Sequence, residues 1–150
     1  MKRLHLAALA LAMFAALAIT ACGNDEENEY VDEVNGVQTA FLDEITAAAS
    51  TPATNPSQVS DLVGAMQGAF DTAAADLGAV EPPEEVVDLH DELIATMSEL
   101  GDQVGTVGEA LQSGNAQEAQ QAAIELQAAL TESQTQVTEL TDEINNQLLD

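Results

Sequence analysis

One imidazole and the carboxylates around it are the first places to look for chemistry in this sequence. His90 stands in "VVDLHDELI", with Asp88, Asp91 and Glu92 within two residues of it. An imidazole buried among carboxylates can coordinate a metal ion, and its charge changes near neutral pH. Opposite a methionine thioether an imidazole can also ligate haem iron, and Met66 and Met97 are the candidate partners. The spacing supports neither chemistry. The other histidine, His5, lies far away in an apolar opening run, so no metal-spaced histidine pair exists. Counting back across the short break before its segment, His90 is expected opposite Phe70, about a turn from Met66. The plain reading is a partly buried histidine, hydrogen-bonded near a helix start.

Other chemistry has less to build on. Cys22 is the only cysteine, so no dithiol can cycle between redox states. No glycine-rich phosphate loop and no serine in a nucleophile turn is present. The acidic run "GNDEENE" lacks the spacing and central glycine of an EF-hand loop. Carboxylate pairs are too abundant to single one out. Beyond residue 22 the aromatics are Tyr30, Phe41 and Phe70, with no tryptophan, and all three fall on apolar stripes. They read as core rather than as a sugar-stacking platform. We therefore assign no catalytic, cofactor-binding or metal-ligating residue, and expect a protein that is not an enzyme.

Cys22 has a different explanation. Lys2 and Arg3 precede the apolar run "LHLAALALAMFAALAI", and the small residues Thr20 and Ala21 follow it. That layout is a secretory signal peptide, and the apolar run is shorter than the roughly 20 residues of a spanning helix. The sequence Ile19-Thr20-Ala21-Cys22 resembles the lipobox of bacterial lipoproteins: an aliphatic residue, two small residues, then cysteine. The resemblance covers Met1 to Cys22. It implies cleavage before Cys22 and a diacylglyceryl thioether on its sulfur. Two or more acyl chains hold a protein stably at a bilayer where a single chain does not. The expected location is the cell membrane, lipid-anchored on its extracytoplasmic side.

Loss of residues 1–21 leaves 129 of the 150 residues, and it removes Lys2 and Arg3, the only basic ones apart from histidine. All 27 acidic residues remain, so the formal charge becomes −27. Nucleic-acid binding, which rests mainly on Lys and Arg contacts to phosphate, is excluded. Adhesion to anionic lipid through a basic patch is excluded too. Such a charge serves solubility and extension from an anionic envelope, or adaptation to high salt, which screens self-repulsion over about 8–10 Å.

The elements that must position His90 are helical. After an acidic tether over residues 22–29, Tyr30, Val34, Val37, Phe41, Ile45 and Ala48 recur at helical spacing. Asn-Gly in "VNGV" is a hairpin signal, but its flanks do not alternate, so the prediction is a helix that can start late. "STPATNPS" interrupts the chain. A second helix opens with Asn55 as cap, Pro56 at the first position and Gln58 at the capping-box position. Its expected face is Val59, Leu62, Val63, Met66, Phe70, Ala73 and Leu77, with Gly78 as stop.

The third helix follows "VEPPEE", and Val86, His90, Leu93, Met97, Leu100, Val104, Val107 and Leu111 form its seam. Gly101, Gly105 and Gly108 flank that seam. They either admit a neighbouring helix or split this one. Gly114 ends it and Asn115 caps the fourth, with the seam Ala116, Ala119, Ala123, Leu126, Leu130, Ser133, Val137, Leu140 and Ile144. Glu118, Glu125, Glu132 and Glu139 repeat every seven residues as a solvated outer stripe. A helix from Ala116 to Leu149 spans about 51 Å.

Short breaks between four amphipathic segments predict an all-α protein, an antiparallel four-helix bundle with coiled-coil-like seams, over residues 30–150. The segment "PPEEVVDLHDELI" is also similar to uncharacterised helical lipoproteins of high-GC Gram-positive bacteria, a likeness of one helix that implies no activity. The expected function is a lipid-anchored acidic envelope protein acting through protein–protein contact. A metal- or haem-binding module at His90 and a ligand-binding accessory lipoprotein for a transporter are the alternatives. Expected partners are the membrane, through Cys22, and an envelope protein, with no nucleic acid; the seams leave a homo-oligomer open.

Overall fold

Four helices account for nearly all of residues 25–149, which are the residues the computed structural model describes. They are α1 (Asp25–Ser50), α2 (Pro56–Leu77), α3 (Val87–Gln112) and α4 (Ala116–Leu148), with a single 3-10 turn, Glu84–Val86, leading into α3. The segment expected to be a signal peptide, and Cys22, lie outside the described residues. Each helix packs on the next in the chain, α1 on α2, α2 on α3 and α3 on α4, as the short connections require. The result is the expected antiparallel four-helix bundle. The starts of α1 and α3 and the ends of α2 and α4 share one end, called the base here. No helix of the described residues is long and apolar enough to cross a membrane.

The acidic stretch before Tyr30, expected to be a solvated tether, is helical from Asp25. Asp25, Glu26 and Glu27 form the first turn of α1, where the partial positive charge of a helix N-terminus favours carboxylates. The helix then runs through Asn35-Gly36 without a break, so it starts early rather than late. Val31 and Val34 on one side of that dipeptide and Gln38 and Phe41 on the other are all buried, so packing along one face overrides the local turn preference.

α2 begins as its sequence specifies. Pro56 holds the first position and the Asn55 side chain accepts from the Gln58 backbone N–H at 3.0 Å. The Gln58 amide oxygen does not close a box on Asn55; it accepts from the backbone N–H and hydroxyl of Thr54, both at 2.9 Å. Gly114, in the turn from α3 to α4, has φ 71°, the left-handed conformation that ends helices at little cost in glycine. Asn115 caps α4, accepting from Gln117 at 3.1 Å and Glu118 at 3.4 Å.

The core is contributed by every helix. Phe41 of α1 meets Phe70 of α2 with ring centroids 5.0 Å apart and planes at 57°. Leu77, Val86, Met97, Leu100 and Val137 are fully buried members of the same core. The three glycines of α3 admit a neighbour, and the helix is unbroken across them. A methyl group on Gly101 would stand 3.4 Å from the Phe70 Cβ and 2.7 Å from an Asp71 carboxylate oxygen. At Gly105 it would meet the Gln67 side chain at 2.8 Å, and at Gly108 Val63 at 3.5 Å. Two adjacent helices therefore approach closely along this line.

The seam of α4 departs from expectation in its first turns. Ala116 and Ala123 are exposed and Ala119 half-buried, while Ala122 is buried in their place. In "AQEAQQAAIELQAAL" several alanines are equivalent in size and hydropathy, so only contact with α3 chooses among them. From Leu126 onward the expected positions are buried, Ser133 being half-buried, and Thr141 and Leu148 join them.

Candidate functional site

His90 lies in the first turn of α3, immediately after the 3-10 turn, and only 2 % of its surface is exposed. Its two ring nitrogens are both engaged. Nε2 lies 2.9 Å from the Leu77 carbonyl oxygen at the end of α2. A carbonyl can only accept, so Nε2 carries the proton and donates it there. In the tautomer with its proton on Nε2, Nδ1 is an acceptor, and the Tyr30 hydroxyl of α1 donates to it at 3.1 Å. The two rings meet edge to face, with centroids 5.5 Å apart and planes at 68°.

This chain of hydrogen bonds ties three helices together at the base. Tyr30 is 1 % exposed, and burial pushes its hydroxyl pKa from 10.0 up to about 12. The Leu77 carbonyl is one that a helix end leaves without an intrahelical partner, and Val80 N–H shares it at 3.0 Å. Every polar group in the set is therefore satisfied, as buried polar groups must be if they are not to destabilise the fold. With both nitrogens committed, the ring presents no free lone pair toward a metal ion or haem iron.

The structure does not place His90 opposite Phe70. Gly101 faces Phe70, about three turns further along α3. The connection over residues 78–86 carries the chain beyond the end of α2 before α3 begins, so α3 starts lower than a tight turn would set it. Gln67, the neighbour of Met66, lies against Gly105, fifteen residues or about 22 Å of helix from His90. Met97 is buried two turns along α3 from the imidazole. The geometry brings His90 and Met66 no closer than separate layers of the core. Asp88, Asp91 and Glu92 are exposed whereas the ring is buried, and Glu92 accepts from the Gln136 side chain of α4 at 3.0 Å. Among the described residues no group of three or more His, Cys, Asp or Glu side chains is arranged to hold a metal ion.

The part of this site that the sequence reading missed is Tyr30. Its apolar stripe marked it as core, but nothing in the sequence connects it with a histidine 60 positions away. The only trace is that both are amphipathic rings at seam positions, where a buried polar atom must find a partner.

Outside the core the described residues present charge of one sign, negative. Of the 26 acidic residues within 25–149, all but the half-buried Glu27 are exposed, and no Lys or Arg accompanies them. Glu118, Glu125, Glu132 and Glu139 are all exposed on α4, as their spacing implied. At the base, Glu26 and Glu27 of α1 and Pro83, Glu84 and Glu85 of the connection line a concavity of about 300 Å³.

The described residues form an all-α, antiparallel four-helix bundle in which His90 ties three helices together and the charged side chains of the exterior are carboxylates. The chain belongs to DUF6376, a family of unknown function, whose model matches residues 24–147. That match takes in the first three helices and all but the last residue of α4. Comparison with curated proteins and with solved structures returns no match.

Proposed function

We propose that this protein is a lipid-anchored component of the bacterial cell envelope that acts through contact with another envelope protein. The observation that carries the reading is the lipobox-like Ile19-Thr20-Ala21-Cys22 ahead of a bundle with carboxylates on every outer face and no lysine or arginine beyond residue 3. The lipid supplies the attachment that such a surface lacks. The buried imidazole is fully occupied in holding three helices, which leaves the exterior as the part of the molecule able to act. Partners of complementary charge are favoured, because docking on exposed carboxylates desolvates them and requires cations in return.

The anchor is tested by growing cells that express the full chain with an alkyne-bearing fatty acid. The wild-type protein should take up the label and sediment with membranes. Cys22→Ala should be unlabelled and retain its signal segment. Label in the variant would overturn the assignment of the modified residue. Contact is tested separately by placing a photo-crosslinking residue at Glu118, Glu125, Glu132 and Glu139 in turn. A discrete adduct in intact cells that weakens at high salt is the expected result. Scanning every outer helix face without an adduct would sink the proposal of a protein partner.

A further inference from the structure

We draw no further inference here: the strongest candidate, the concavity of about 300 Å³ at the base of the bundle lined by Glu26, Glu27, Pro83, Glu84 and Glu85, is a cluster of surface carboxylates beside which no second feature points to a ligand.

Discussion

The Tyr30–His90 pair is where a single atom changes the stability of the whole bundle. Tyr30→Phe removes the hydroxyl and leaves Nδ1 of a buried ring without its donor, so unfolding in urea should show a loss of about 1–3 kcal/mol. Removing both polar partners together, as Tyr30→Phe with His90→Leu, should cost less than the sum of the two single changes, because nothing is then left half-satisfied. Additive losses would mean that the hydrogen bond contributes nothing. Tyr30 also sets an alkaline limit. Its folded pKa of about 12 exceeds the unfolded value of 10.0, so the unfolded chain releases this proton first. The stabilisation is complete below pH 10 and is lost as pH rises toward 12, with a slope of about 1.4 kcal/mol per pH unit. Tyr30 is the only tyrosine, and the fragment Gly23–Asp150 has no lysine, so no other side chain titrates in that window. The alkaline slope should vanish in Tyr30→Phe; a slope that persists would assign it elsewhere.

At the scale of the elements, caps and breaks were legible because they are local. Asn55, Pro56 and Asn115 perform their expected tasks because a side chain two or three residues from a free N–H needs no distant partner. Asn55→Ala and Asn115→Ala should each cost about 0.5–2 kcal/mol in thermal or urea unfolding. The glycines separate by their surroundings, which no local pattern reveals. Gly68 has open space where a Cβ would go, so Gly68→Ala should stabilise by up to about 1 kcal/mol through helix propensity alone. Gly101→Val should instead destabilise, because added carbon meets the Phe70 Cβ and forces α2 away from α3. Equal effects at both sites would show that the close approach of α2 and α3 is immaterial. The early start of α1 and the shift from Ala123 to Ala122 have a common cause. Where local preference is weak or ambiguous, burial against a neighbouring helix selects the outcome.

The whole molecule carries its charge unevenly. In α1 the triple Glu29, Asp32 and Glu33, in α3 Asp88, Asp91 and Glu92, and in α4 Glu139, Asp142 and Glu143 each repeat at three- and four-residue steps. Like charges so spaced repel along a helix, and the antiparallel arrangement gathers all three triples toward the base, with Glu84 and Glu85. No lysine or arginine offsets them. Salt is therefore expected to raise the melting temperature of the Gly23–Asp150 fragment markedly between dilute buffer and molar sodium chloride. Backbone amides of residues 25–33 should gain the most protection in hydrogen exchange. A melting temperature flat with salt would show that the self-repulsion is too weak to matter. Solubility alone would then account for the acidity.

The sequence by itself determined the helical class, the number of helices, most of their ends and the sign of the surface. Each of these follows from residue types repeating at 3.6-residue spacing, from caps acting over a single turn, or from a simple count of charges. Only the tertiary structure decided which groups meet across the bundle. The length of the connection after α2 sets the level at which α3 begins. That level aligns Gly101 with Phe70 and brings His90 between the Leu77 carbonyl and the Tyr30 hydroxyl. A displacement of a turn along a helix moves a side chain about 5.4 Å, enough to exchange a metal ligand for a structural tie, and nothing in a single helix's own pattern records it.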